Sequence, residues 1–524
     1  MTTYLRSSAA VLAVASLGLL AACGSGEAAA AGADTEELRI AYSAQPATLD
    51  PHNSTAEATF DMMRGVYEGL VALDADGNPQ PQLAESIDVN EDYSQFTFHL
   101  REVTFHDGST LDSQDVIDSL NRWIDSAPAG MSFQDCTFEA TDEHTVVMTS
   151  PKPFYPALTM LANHQNQYPA IMSSESIASA GTEGLQEFVG TGPYTFTEWV
   201  DNQYVHLTKY ADYVAPEVEY TGGAAAATPV YENIYFDVVT DPSTRLAGFQ
   251  TGDYDVLTAP VVDQIEQIEA IPGVNTETTI RGTTGFTFNR QAESIFVDQD
   301  LRKAVSVGLD MEPVLAGAYG YPEYYQLDGA LGLPAQKAWY TDAALDQYNL
   351  HDPAQAASLM QKAGYADEPV VILATRDYQS IYDTAVVVEQ QLKELGFATK
   401  LEVYDWATML DIQNNEPDGW DMAFSSWAPQ SIPTRYTYMS SQVAGAGDNP
   451  EFYAAIDAVN HSSSAEEATE KLADLQEEFY RTVPMVKAGT YSGTIAWSEE
   501  IGDIDMQSGA GATGLYYNVQ PAEG

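Results

Sequence analysis

FTFHLREVTFHDGSTLDSQDVIDSLNR, running from Phe96 to Arg122, carries three structural signals in succession. Phe96, Phe98 and Leu100 alternate with Thr97, His99 and Arg101, and Val103 and Phe105 resume after a break, the period-2 pattern of half-buried strands. His106-Asp107-Gly108-Ser109 supplies a turn. Asp112 then stands where an N-cap belongs, ahead of a helix whose apolar stripe is Val116, Ile117 and Leu120. Comparably short elements surround this stretch from Gly69 to Val189, with strands expected near Thr104 and Val146 and a helix near Leu158. They read as a small inserted domain.

Upstream, Leu38 to Tyr42 reads as a strand, Ser43 to Asp50 as a loop and Thr59 to Leu70 as a helix. Asp74 to Asn78 has the look of a calcium loop, but Pro79 stands where the glycine belongs, so a turn between strands is expected. Downstream, Gly190-Thr191-Gly192-Pro193 marks a return to strands at Tyr194 to Trp199 and Val205 to Leu207. A helix from Thr244 to a Gly252 cap and a strand from Tyr254 to Leu257 follow. Near Gly282 to Asn289 the chain should cross into a second large domain.

That domain has the clearest pattern. Asp352-Pro353 opens a helix that closes at Gly364, and VVIL within Pro369 to Ala374 is a buried strand. Asp383 is expected to cap a helix with Ala385, Val388, Leu392 and Leu395 on one face, ended by Gly396. Strand Thr399 to Tyr404, helix Ala407 to Ile412 and strand Asp421 to Ser425 complete β-α-β-α-β, which predicts a parallel sheet. Ligands of such sheets bind beyond the carboxyl ends of the strands, here Thr375-Arg376, Asp405-Trp406 and Ser426-Trp427.

The 524 residues allow about three domains, and 44% hydrophobic content with 31 Tyr argues for packed cores. The 77 acidic residues against 21 Lys and Arg give a net charge of -56, which would repel nucleic acid and anionic lipid surfaces. Because the acids are dispersed, they suggest a solvated surface on an exported protein working in high salt or at high pH. Arg6, the apolar run Ala9 to Leu20 and Leu20-Ala21-Ala22-Cys23 have the form of a bacterial lipoprotein signal, with residues 1–22 removed and Cys23 lipid-modified. GSGEAAAAGAD would then be a tether over 23–37. Cys136 is expected to be a lone buried thiol.

No catalytic constellation emerges. H-E-x-x-H and G-x-S-x-G are absent, no histidine pair suggests a metal, and Gly509, Gly511 and Gly514 lack room for a nucleotide-binding βαβ unit. His99 and His106 read as structural. Binding signals are better: Trp406, Trp427, Tyr404, Tyr436 and Tyr438 concentrate near strand ends where they could line a cleft, while Trp420 reads as core. Arg376 and Arg435, scarce cations in loops at strand ends, either clamp a ligand carboxylate or neutralise the chain's own acids.

Five blocks in order resemble the family 5 bacterial extracellular solute-binding proteins that serve ABC importers. They are LRIAYSAQPATLDPH (38–52), YEGLVALDADGNPQPQLAES (67–86), GTGPYTFTEW (190–199), DPSTRLAGFQTGDYDV (241–256) and YYNV (516–519), with the opening stretch between the second and third. The resemblance implies an α/β, two-lobed periplasmic-binding-protein-like fold of type II, cluster C, with an extra small inserted α+β domain. Lobe I would comprise 38–68, 190–283 and 485–524, the insert 69–189, and lobe II 284–484. It implies a monomeric, lipid-anchored receptor at the outer face of the cell membrane, without cofactor or metal, passing a peptide or other small polar solute to a cognate permease. Opines, oligosaccharides and nickel chelates remain alternatives, as does a surface-anchored hydrolase. By local matching, Ser43, Ala44, Thr55 and Glu57 would face the cleft from lobe I and His164 from the insert. Peptide-binding relatives often carry Trp-x-x-Asp after the last parallel strand, the acid meeting the peptide ammonium. Here Trp427-Ala428-Pro429-Gln430 has Gln430 in that place.

Overall fold

Two long strands, Val274–Phe288 and Met485–Ser498, form the spine of the molecule in a computed structural model that describes residues 36–165, 167–181, 184–506 and 515–522. The expected leader, Cys23, most of the tether and the glycines Gly509, Gly511 and Gly514 lie outside the described residues. TETTIRGTTGFTF is rich in β-branched residues, which suit an extended backbone. The two strands run antiparallel from Val274 opposite Ser498 to Thr287 opposite Met485. The pairing shifts between Ile280 and Gly282, so Arg281 has no residue opposite it.

Each end of this ribbon enters a different half of one sheet. On one side Val256–Leu257 pairs with Met485–Ser498. Glu37–Tyr42 follows, then Asn233–Val238, Tyr204–Lys209 and Tyr194–Val200. On the other side Met422–Trp427 lies antiparallel to Val274–Phe288, and Val370–Thr375 and Thr399–Tyr404 continue parallel to it. The predicted β-α-β-α-β unit is thus present as a parallel sheet, with its first strand, Val370–Thr375, in the middle. Its first helix spans Gln379–Leu395 and closes at Gly396 with φ 98°. Asp383 does not cap it. That residue lies one turn inside and accepts from Gln379 Nε2 at 2.8 Å, a local side-chain pair rather than a helix start. In the next helix Asp405 accepts from Thr408 N at 3.0 Å, so the helix begins at Trp406, one residue early.

The helix expected from Thr59 to Leu70 is shorter, Glu57–Met63. Its apolar spacing continues, but the carbonyls of Gly65 and Val66 accept from Tyr194 N and Gly192 N of the returning chain. A Cβ at Gly190 would stand 2.0 Å from Val66 O, so this close approach requires glycine.

The opening stretch folds as a separate unit. Ala84–Val89, Gln95–Leu100, Thr145–Thr149 and Thr137–Asp142 make a four-stranded antiparallel sheet, against which the helix Ser113–Ser126 packs. Asp112 accepts from Gln114 N and Asp115 N, while Asp115 accepts from Asp112 N, a complete capping box. Val116, Leu120 and Trp123 are buried, and Ile117 is half-buried. Thr104 forms only an isolated bridge to Thr110 across the His106 to Ser109 turn, because the chain reverses before a ladder can build. The last residue of the stretch, Arg122, donates to Asp50 and to His52 Nδ1, pinning the unit to the LDPH segment. Asp74 accepts from Asp76 N and Asn78 N in the turn between Val71–Leu73 and Pro79–Pro81.

Candidate functional site

The unit built on the opening stretch also meets the half that carries the parallel strands, and one apolar cluster contains residues of both. From the first come Phe133, Phe154 and Trp123; from the second Trp339, Trp427, Tyr436, Tyr438 and Phe479. Around this seam Lys152 pairs with Asp457 at 3.0 Å, Tyr155 N donates to Ser462 O, and the Phe154 and His461 rings lie 5.3 Å apart. Burial of aromatic area at this seam drives the halves together.

Within the seam lies a set of polar side chains. The strand Met422–Trp427 ends with Trp427 opposite Thr283. Its indole edge meets Tyr438 at 5.0 Å, Tyr438 stacks on Tyr436 at 5.1 Å, and Nε1 donates to Thr437 Oγ1 at 3.1 Å. Three residues on, Gln430 is buried and its Oε1 lies 3.5 Å from Asn163 Nδ2 across the seam. Arg435, on the same loop, donates Nη1 to Ala129 O at 3.2 Å and holds its guanidinium 5.8 Å from the Trp123 ring centre. Burial takes Arg435 down to about 10, so it remains charged at neutral pH. Asn163 Oδ1, both amide atoms of Gln165, Ser431 Oγ, Tyr438 OH, and Arg435 Nε and Nη2 are shielded from solvent and have no hydrogen-bond partner. Buried polar atoms are normally satisfied, so such a concentration marks where a further polar group belongs.

A second polar group lies beside the bulge between Ile280 and Gly282. Arg281 pairs with Glu57, the first residue of its helix. Tyr42 OH donates to Asp61 Oδ2 at 2.8 Å, and burial together with the nearby Glu57 charge raises the Asp61 carboxyl to about 7. Tyr491, opposite Gly282, stacks on Tyr319 at 5.1 Å.

Of the residues expected to bind, Trp427, Gln430 and Arg435 come together at the seam and Glu57 lies at the bulge. Ser43 and Ala44 are half-buried at the end of Glu37–Tyr42, and Thr55 is exposed. Arg376 is exposed, donating to Tyr382 OH at 2.8 Å with its guanidinium 4.4 Å from that ring. Trp406 meets exposed Tyr378, two residues after Arg376, edge-on at 5.3 Å. His164 lines a small separate cavity with Arg64, Tyr67, Gln82 and Tyr517, and burial takes its imidazole down to about 4. Its neighbour Asn163 is the residue that reaches Gln430. Arg281, Asn163 and Gln165 carried no periodic signal; only the scarcity of cations could have drawn attention to Arg281. Trp420 is core, and His106 donates Nε2 to Gly192 O, as expected of a structural residue.

A sequence model of the bacterial extracellular solute-binding proteins, family 5, matches residues 78–450. The chain is 26% identical over 417 residues to a probable peptide ABC transporter periplasmic-binding protein of Sinorhizobium fredii, covering 76% of each chain. It is 26% identical over 430 residues to the probable D,D-dipeptide-binding periplasmic protein of Escherichia coli K12, covering 79% of this chain and 80% of that one. Among solved structures, a Helicobacter pylori ABC transporter-associated periplasmic binding protein in complex with a peptide superposes with a TM-score of 0.79 at 20% identity, covering 93% and 98%. A periplasmic binding protein of A. tumefaciens R10 in complex with agropinic acid gives 0.78 at 23%, covering 93% and 99%. The fold is therefore the two-lobed type II arrangement with an additional α+β unit.

Proposed function

Because this chain belongs to the bacterial extracellular solute-binding proteins of family 5, we propose that it captures a peptide or peptide-like small solute between its lobes and delivers it to the permease of an ABC importer. The observation that carries this reading is the seam: two halves joined by a pair of strands meet on aromatic walls that enclose unpartnered polar atoms. A solute supplying those partners binds the contacted arrangement better than the separated one, and that differential affinity shifts the equilibrium toward closure. The hinge is the ribbon where Arg281 bulges, and Glu57–Arg281 and Lys152–Asp457 are contacts that opening disturbs. Lobe I is then 38–68, 190–283 and 485–524, the insert 69–189 and lobe II 284–484. No bond in the solute is made or broken. Mass spectrometry of solute released from the purified protein tests the role: one small polar solute per chain, recovered unaltered after incubation, is expected. A chain that turns peptides over catalytically is a hydrolase instead.

The relatives' names speak for peptides. The complex with agropinic acid keeps an opine-type solute as the second reading, and Gln430 favours it because no carboxylate stands there to meet a free ammonium.

Two further parts of the proposal are separately testable. Anchoring through Cys23 predicts that the full-length chain partitions into the detergent phase and that Cys23→Ser does not; equal partitioning of both would exclude a lipid anchor there. The charge of -56 predicts adaptation to high salt. At 0.01 M salt the screening length is about 30 Å, so surface carboxylates repel one another across much of a lobe. The melting temperature should climb steadily from low to molar KCl, and a flat profile would remove that interpretation.

A further inference from the structure

Most of the buried and half-buried cations among the described residues are accounted for. Lys487 Nζ donates to Asp328 Oδ2 at 2.9 Å, Arg122 pairs with Asp50, and Arg302 and Arg245 each donate to three or more backbone carbonyls. Arg290 has shielded Nε and Nη1 atoms without partners, but it sits within one half, against Tyr453 and Gly445. Arg435 differs in place and geometry. It lies where the halves meet, Nη1 is taken by Ala129 O, and the atoms left open are Nε and Nη2. Those two N–H groups point in parallel from one edge of the guanidinium, the edge that a carboxylate engages with both oxygens. Burial lowers its pKa, and no ion pair to it is present among the described residues.

The surroundings extend the same pattern. Trp123, on whose face the guanidinium lies, donates Nε1 to Gln167 O, so the segment carrying Asn163 and Gln165 borders the same wall. Gln165 is fully buried with neither amide atom paired, and Asn163 contacts Gln430. These are neutral donors and acceptors, suited to amides or hydroxyls rather than to a second charge.

Resting on the receptor reading, we propose that Arg435 receives a carboxylate of the solute side-on through Nε and Nη2, and that the solute is an anion whose remaining polar groups meet Gln430, Asn163 and Gln165. The carboxylate comes either from the C-terminus of a peptide or from a non-peptide acid. Losing it should cost about 100- to 10,000-fold in affinity, the range for two charge-assisted hydrogen bonds lost together. Losing a free ammonium should cost little.

Titration calorimetry on protein stripped of endogenous solute tests this with alanyl-alanine, its C-terminal amide, its N-acetyl form and an N-carboxyalkyl amino acid. Acid should bind over amide, and the acetylated acid should bind nearly as well as the free peptide. A peptide source is indicated if the dipeptides exceed the carboxyalkyl acid, and the other source if the order reverses. Arg435→Met should abolish the preference for acid over amide. Arg435→Lys, which keeps the charge but loses the parallel fork, should retain only part of it, and thermal melts of both variants check that they fold. Equal binding of acid and amide by the wild type, no binding of any carboxylate, or an unchanged preference in folded Arg435→Met overturns the proposal. The solute found by mass spectrometry bears separately on the receptor role: a neutral molecule bound one to one preserves that role while removing the carboxylate assignment.

Discussion

Trp427→Ala is expected to destabilise the protein by about 3–5 kcal/mol and to weaken solute binding at the same time. The indole is buried at the end of its strand, lies edge-on to Tyr438 and belongs to the apolar cluster shared by both halves. Truncation leaves a cavity that the backbone is poorly able to close. Trp427 is opposite Thr283, and its carbonyl already lies 2.2 Å from where a Cβ at Gly282 would stand. Trp427→Phe should recover much of the stability by refilling the volume, although Thr437 Oγ1 loses its donor. Denaturant unfolding and calorimetry on the three proteins check this. A loss of stability with unchanged affinity would show that the residue is core alone, and that the solute contacts other parts of the loop.

Glu68→Gln is expected to make the protein more stable at alkaline pH and to leave it nearly unchanged near pH 4. Glu68 is buried, accepting from Thr191 Oγ1 at 2.8 Å and Tyr213 OH at 3.3 Å, and burial raises its carboxyl from 4.5 to about 7. Below the unfolded value both states are protonated and the group contributes no difference. Between about 4.5 and 7 the unfolded chain releases the proton while the folded chain keeps it, so stability falls as pH rises and levels off above about 7. A shift of this size corresponds to about 3 kcal/mol, which the amide removes. Asp61 titrates in the same sense, so the slope should lessen without vanishing. Melting curves from pH 4 to 9 on both proteins test it, and parallel wild-type and variant profiles would count against a protonated Glu68.

What the sequence disclosed depended on whether the governing interactions were local. Asp112 and Gly396 lie within a turn of the helices they end, and Val370–Thr375 carries the unbroken apolar run VVIL, so each was legible. The ribbon was legible only in part: a crossing near Gly282 to Asn289 was expected, a strand as long as Val274–Phe288 was not. That strand alternates only weakly because it is partly buried or exposed as far as Arg281 and almost wholly buried from Gly282 on, and the strand it pairs with, Met485–Ser498, lies far along the chain. The shortened helix at Glu57–Met63 has the same origin, since a returning segment takes carbonyls that local spacing assigned to the helix. Trp427, Gln430 and Arg435, which come together at the seam, were legible as candidates because they stand at or just after a strand end. Asn163 and Gln165 lie on an irregular segment whose sequence has no period, so nothing local distinguishes them from the more conspicuous His164.

The position of Met485–Ser498 also constrains how the molecule is made. This late strand fills the gap between Val256–Leu257 and Val274–Phe288, which are translated before the whole second half. Until the ribosome delivers it, the nascent polypeptide carries two open strand edges, the kind of surface on which chains associate wrongly. The sheet of the first half cannot be completed until this strand has been made. A product truncated before residue 485 would keep those edges open and is expected to be prey for proteases rather than a working half.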